Sequence, residues 1–283
     1  MKNFLDKYKK TGIIYSDFQT LEVNDRQIYA MLSELEPTLC VDVGASNGQT
    51  TLSMLNYHPE ARVVAVEPWP ANIELFRKNI YGNSNVTLYE AACTAQKGRV
   101  RFFCAAAIES GYSSLGYVVK DGMTRDPVRQ IEVDAIRLDS VVDERIGFLK
   151  IDVQGGEYEV LCGAENIIRG HGIDVILVEY NNDVRLLNLL DDLDYVLFDL
   201  EYLLYFENND FLDNYMLSAK VTRLTTGAKA WHGFLRGGVP RDVNGWAEFI
   251  KNQRGVQTDL LAIQRDCLNR ALTAFELTSN KKV

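Results

Sequence analysis

Histidine, cysteine and proline are scarce in this 283-residue sequence, at three, five and six residues. The cysteines (Cys40, Cys93, Cys104, Cys162 and Cys267) lie far apart with no Cys-x-x-Cys pair. That spacing argues against a zinc site or a disulfide frame and predicts reduced, structural thiols. No apolar run approaches the roughly 20 residues that a bilayer requires, so no membrane span is expected. The first residues, Met1-Lys2-Asn3-Phe4-Leu5-Asp6-Lys7, lack the apolar core of a secretory leader, and a cytoplasmic protein is expected. Positive charge is also in deficit: 30 Lys and Arg against 39 Asp and Glu leave a net charge of −9. The largest local excess is Lys7, Lys9 and Lys10, too little for a groove that tracks nucleic-acid phosphates. What remains, 47% hydrophobic and 24% charged residues, suffices for one α/β domain with appendages.

The most informative stretch is Leu39-Cys40-Val41-Asp42-Val43-Gly44-Ala45-Ser46-Asn47-Gly48-Gln49. An apolar strand runs into an acid and then a small-residue loop that opens a helix. Gly44 and Gly48 permit a tight turn and close approach to a ligand, while Ser46 and Asn47 add small polar groups at a helix N-terminus. A second strand ends in Val66-Glu67-Pro68-Trp69, where an acid is placed to accept two hydrogen bonds from a ribose diol. A third strand end, Lys150-Ile151-Asp152-Val153-Gln154-Gly155-Gly156-Glu157, again combines acids with glycines.

These motifs, with Ser113-Ser114-Leu115, resemble the successive motifs of the FkbM-type S-adenosylmethionine-dependent methyltransferases over roughly residues 39–220. The resemblance departs at Gly156, where the family carries alanine or a bulkier residue, and this predicts a loosened start to the following helix. It implies a Rossmann-like class I methyltransferase fold, α/β with a mostly parallel seven-stranded sheet, an antiparallel C-terminal hairpin, and helical appendages at both ends. It also implies methylation of a hydroxyl on a small polyhydroxylated acceptor, a sugar, glycan or polyketide-type metabolite. Class I enzymes that methylate base amines usually carry Asn/Asp-Pro-Pro-Tyr/Phe after the fourth strand. Here that position reads Asp152-Val153-Gln154-Gly155.

Alternating strand and helical patterns predict strands near 39–43, 62–66, 85–90, 147–152 and 173–178. Helices are expected near 49–57, 70–80, 156–169 and 183–191, with extra strands at 100–103 and 128–133. Aromatic runs at 195–198 and 202–206 suggest a hairpin. Residues 25–35 read as a helix, 221–245 as a lid loop, and 256–277 as an amphipathic helix with Leu260, Leu261, Ile263, Cys267, Leu268, Leu272 and Phe275 on one face. That face would pack on its own domain or on a second copy of the chain. The division is therefore 1–38 as N-terminal cap, 39–220 as cofactor domain, and 221–283 as lid and C-terminal helix.

For the cofactor, the acid at Asp42 would repel a pyrophosphate but could hold an amino group, and the third glycine of a dinucleotide fingerprint is missing. Both points favour S-adenosylmethionine. Gly44, Ala45, Ser46, Asn47, Gly48, Glu67, Pro68, Trp69, Ala92, Cys93, Ser113 and Asp152 complete the candidate cofactor set. Transfer of a methyl to a hydroxyl also needs a proton acceptor beside the substrate. Asp152 is the first candidate, then Glu157, Glu179 and His232; His58 and His171 read as surface turn residues. Asp152, Glu179 and Asn181 are oxygen donors that could hold Mg²⁺, although no spacing enforces a metal. The competing readings are a nicotinamide-dependent oxidoreductase and a non-catalytic protein that retains the cofactor loop.

Overall fold

The computed structural model describes residues 32, 35–104, 116–118, 129–180, 183–199 and 258–271. In chain order the elements are β1 (Leu39–Val43), α1 (Gln49–Tyr57), β2 (Arg62–Val66), α2 (Pro70–Asn79), β3 (Val86–Tyr89), β4 (Ala92–Cys93), β5 (Gly98–Cys104), β6 (Gly116–Val118) and β7 (Arg129–Ile136). They continue as β8 (Ile146–Ile151), α3 (Glu157–Cys162), α4 (Glu165–Gly170), β9 (Ile173–Tyr180), α5 (Val184–Asp192), β10 (Tyr195–Asp199) and β11 (Thr258–Gln264). Seven strands form one sheet in the order β10-β11-β9-β8-β1-β2-β3, and β4-β7-β5-β6 form a second, smaller sheet. This is a Rossmann-like α/β fold, mostly parallel with one antiparallel strand among the described residues. The chain divides into two compact units, the first spanning 36–174 and the second continuing from Val175.

In the first unit β1 pairs in parallel with β2 on one side and β8 on the other. All five of its residues are buried, as expected of a strand covered on both faces. Helix α2 begins with Pro70, whose missing N–H costs nothing at a first helical position, and ends with Arg77 and Lys78 against its negative terminus. Its inner face places Phe76 with Ala45, Ala65 and Ile80 in one core cluster. The smaller sheet alternates cleanly. Arg99, Arg101, Gln130, Glu132 and Asp134 face outward, while Phe102, Val133 and Ala135 are buried. Phe102 and Val133 pack with Trp69 and Ala92, flanked by Val100 and Ile131. The strands expected at 100–103 and 128–133 are therefore present and longer.

The expected helix at 156–169 is interrupted between α3 and α4. At that junction a Cβ on Gly163 would lie 2.2 Å from the Thr94 carbonyl oxygen, so only glycine fits there. Glu157 opens α3 directly after Gly156, so the start of the helix holds despite the glycine. His58, expected on the surface, is buried at the C-terminal end of α1, while His171 is exposed.

The second unit corrects the C-terminal expectation. Residues 258–264 form strand β11, antiparallel to both β9 and β10, followed by a 3₁₀ turn at Arg265–Cys267. Leu260, Leu261, Ala262 and Ile263 are all buried in the strand, while residues 268–271 keep the expected helical conformation. Four consecutive apolar residues satisfy a helical and a strand template alike, and pairing on both edges decides between them. β11 is also the partner of β10 that was expected at 202–206, a run outside the described residues. The helix expected at 25–35 is described only at Leu32 and Leu35, both buried, and the lid at 221–245 lies outside the described residues.

Ala262 distinguishes the two conformations, because it lies off the apolar stripe of the expected helix yet is buried in the strand. Ala262→Glu is expected to lower unfolding stability by about 3 kcal/mol or more, as an unpaired charge enters the sheet. A urea midpoint close to that of the unchanged protein would restore the helix.

Candidate functional site

The carboxyl ends of β3, β2, β1 and β8 lie side by side, and the register aligns Tyr89 with Val66, Val66 with Val43, and Val43 with Ile151. Ligands of open parallel sheets bind beyond such ends. After β1 the chain turns sharply, with Gly44 at φ 78° and Ser46 at φ 50°. The Gly44 and Ala45 amides donate to the Val66 carbonyl at 2.9 and 3.1 Å. A Cβ on Gly44 would stand 1.9 Å from the Asp152 carbonyl oxygen, so the loop can meet β8 only as glycine.

Glu67, at the end of β2, is 4% exposed. Its carboxylate accepts from the Ser46 amide at 2.8 Å, the Trp69 amide at 2.9 Å and the Asn72 side-chain amide at 3.3 Å. Burial pushes the carboxyl above its ordinary range, and these three donors oppose that shift by favouring the ion. One carboxylate thus joins the β1 loop, the β2 end and the first turn of α2.

Around Glu67 lies a cavity of about 300 Å³, at the small end of the usual range for ligand sites. Toward β3 it is walled by Ala91, Ala92, Cys93, Thr94, Ala95 and Gln96, with Val100 and Phe102 from the smaller sheet. Its middle is Gly44, Ser46, Glu67, Pro68 and Asn72 between the ends of β1 and β2. Toward β8 stand Asp152, Val153, Gln154, Gly156 and Glu159. Apolar groups dominate the first wall, and the last carries the carboxylates of Asp152 and Glu159. Of the four non-glycine residues with positive φ among the described ones, Ser46 and Gln154 both line this cavity, a concentration of backbone strain characteristic of functional sites.

The charged groups beneath the β8 wall form a chain. Asp42 is fully buried and accepts from the Thr51 hydroxyl at 2.7 Å. The Lys150 ammonium stands 3.9 Å from Asp42 and 3.3 Å from Asp152. Asp152, with a side chain 41% exposed, also accepts from the Gln154 amide at 2.8 Å. Glu157 is turned away from the cavity: its carboxylate accepts from the Val153 and Gly155 amides at 3.2 and 2.9 Å and is 4% exposed. It ties down the loop that carries Gln154.

Of the candidate residues, Gly44, Ser46, Glu67, Pro68, Ala92, Cys93 and Asp152 meet at the cavity wall. Ala45 and Trp69 lie in the core clusters. Asn47 accepts from the Gln49 amide, and Gly48 opens α1 against Phe76 and Ile80. Asp42 supports the loop through Thr51. Glu179 belongs to the second unit, opposite Asp259 on β11. Ser113, Asn181 and His232 lie outside the described residues, and no cluster of three or more His, Cys, Asp or Glu able to hold a metal occurs among the described ones.

Sequence reasoning missed Asn72, Thr94, Gln96, Val100, Phe102, Gln154 and Glu159. Val100 and Phe102 alternate on an expected strand, and Asn72 lies in the first turn of the helix expected right after Glu67, so both signals were present. Thr94 and Gln96 sit in an irregular segment with no pattern of its own. Cys93, buried in this wall, has its thiol pushed up to about 12 by burial and is held as a neutral group.

The family model of the methyltransferase FkbM domain matches residues 42–204, more than half of the chain. The protein called 31-O-demethyl-FK506 methyltransferase FkbM, from Streptomyces tacrolimicus, is 29% identical, with 47% of this chain and 62% of that one covered. Methyltransferase 1 of Beauveria bassiana is 25% identical, with 46% and 60% covered. The chain thus spans about 60% of the length of the curated relatives it matches. Among solved structures, the methyltransferase FkbM of Methylobacillus flagellatus KT gives a TM-score of 0.40 at 18% identity, covering 57% of this chain and 39% of that one. The chain belongs to the FkbM methyltransferase-domain family.

Proposed function

We propose that the chain is a cytoplasmic S-adenosylmethionine-dependent O-methyltransferase acting on a hydroxyl of a small polyhydroxylated acceptor, with residues 39–220 as its catalytic domain. The observation that carries this reading is the Glu67 carboxylate, held by three donors at the middle of a cavity that runs from an apolar wall to an acidic one. The fit is physical: Glu67 suits a ribose diol, the Ala91–Ala92–Cys93 side suits the flat face of a purine, and the side-chain-free approach at Gly44 suits an amino-acid moiety. When bound, S-adenosylmethionine supplies an electrophilic methyl on a sulfonium centre.

The chain's own residues provide position and a proton acceptor. Asp152, oriented by Gln154 and Lys150, accepts the proton of the acceptor hydroxyl as the oxygen loses its hydrogen. Glu159 stands on the same wall and binds a second hydroxyl of a polyhydroxylated substrate. Glu157 keeps the 153–155 loop in place, and the apolar wall limits water access. The name of the Streptomyces tacrolimicus relative speaks of an O-demethylated acceptor, which agrees with an oxygen nucleophile.

Calorimetry is expected to show binding of S-adenosylhomocysteine and none of comparable strength for NAD; tighter NAD binding would overturn the reading. Glu67→Ala is expected to weaken S-adenosylhomocysteine by about 1.5–3 kcal/mol, the scale of hydrogen bonds to a charged group. The pH dependence has a definite sign. A raised acid favours the folded state fully below its unfolded value of 4.5, and that contribution is lost as pH rises through the folded value. A diol donates to the ion, so affinity is expected to rise with pH across the same window. Glu67→Gln is expected to remove the rise, and a slope unchanged in that variant would exclude Glu67.

Asp152→Asn is expected to lower turnover of a hydroxyl acceptor by about 10²–10⁴-fold with little change in S-adenosylhomocysteine affinity. If Asp152 instead holds Mg²⁺, wild-type turnover vanishes with chelator and returns with metal. Normal turnover of the variant, with no effect of chelator, would exclude both roles.

A further inference from the structure

The cavity wall at Thr94, Ala95 and Gln96 belongs to no helix or strand, yet it is pinned from behind by one residue. The Arg137 guanidinium donates to the Ala95 carbonyl at 2.7 Å. Its Nε and Nη2 reach both oxygens of Asp139 at 2.8 and 2.6 Å, and Nη2 also reaches the Cys162 carbonyl at 3.3 Å. Asp139, its side chain 4% exposed, in turn accepts from the Asn166 amide at 3.4 Å, and its own amide donates to the Gly163 carbonyl at 2.9 Å. The Arg137 guanidinium holds the Asp139 carboxyl below its ordinary range. The pair therefore joins the cavity wall to the junction of α3 and α4. A bidentate guanidinium–carboxylate fork fixes orientation as well as distance, which a lone surface ion pair does not. Thr94 adds a local lock, its hydroxyl donating to the Gln96 carbonyl at 2.7 Å and its amide to the Ile136 carbonyl at 2.8 Å.

The strand order gives this wall its function. Glu67 closes β2, the wall lies beyond it on the β3 side, and Asp152 lies on the β8 side. With the ribose at Glu67 and the reacting methyl toward Asp152, the base of the cofactor faces 94–96. We propose that Arg137 is a positioning residue for base recognition: through Ala95 it holds the 94–96 wall at the distance at which adenine is told from other purines. The inference rests on the cofactor reading above. A wall held at one distance rejects a base whose edge has changed from amino to carbonyl, whereas a loosened wall adapts.

The test compares S-adenosylhomocysteine with S-inosylhomocysteine, whose base carries a carbonyl in place of the amino group, by calorimetry on the full chain. Arg137→Ala is expected to weaken S-adenosylhomocysteine by about tenfold and the inosine compound little, so that the preference for adenine collapses. Arg137→Lys, which keeps the charge but not the fork, is expected to fall between them and decides the matter if the alanine variant does not fold. A folded variant with both affinities unchanged, or with both lowered equally, would make Arg137 a structural brace and overturn the proposal. A wild-type protein that binds neither compound would instead remove the cofactor reading itself.

Discussion

A buried carboxylate governs the layout of this protein. Transferring Glu67 from water to a site 4% exposed is costly, and the cost is offset only if donors surround it. Three do, and each comes from a different place: the β1 loop at Ser46, the residue opening α2 at Trp69, and the first turn of α2 at Asn72. Satisfying one charge therefore fixes three pieces of backbone. The left-handed conformation of Ser46 follows from aiming its amide at Glu67, and the close contact of Gly44 with Asp152 follows from the same turn. The cavity is what remains between those constraints.

The two ends of the cavity differ in the forces that shape them. The β3 side is an apolar surface, made partly by a second sheet whose inward residues Val100 and Phe102 reach the same space. The β8 side is a chain of charges, Asp42, Lys150 and Asp152, in which a single ammonium stands near two carboxylates. Alternating charge of this kind offsets the burial of Asp42 with a nearby cation. An apolar wall at one end and an acid at the other are compatible with a nucleoside joined to a charged group, with the sugar between them.

How much of this could be read in the sequence depends on the range of the forces. Strands β1, β2 and β8 were legible because each is an apolar run ended by an acid or glycine, a signal carried by five or six neighbouring residues. Glu67 and Gly44 were legible for the same reason. The role of Glu157 was not, since only the folded loop brings the Val153 and Gly155 amides onto its carboxylate. Trp69, placed in the cofactor set by its position after Glu67, packs among Ala92, Phe102 and Val133, contacts that no local pattern carries. Strand β11 was misread because its partners, β9 and β10, precede it with a long stretch of chain between, and four apolar residues in a row carry no period. Asp42 marks the limit: its position before the loop was informative, yet its bond to Thr51 makes it a support beneath the site.

The most direct measurement is a crystal structure with S-adenosylhomocysteine bound. Both ribose hydroxyls are expected within hydrogen-bonding distance of the Glu67 carboxylate, the base against Thr94–Gln96, and the sulfur directed toward Asp152. A ligand bound in the reverse direction, or with its ribose away from Glu67, would contradict it.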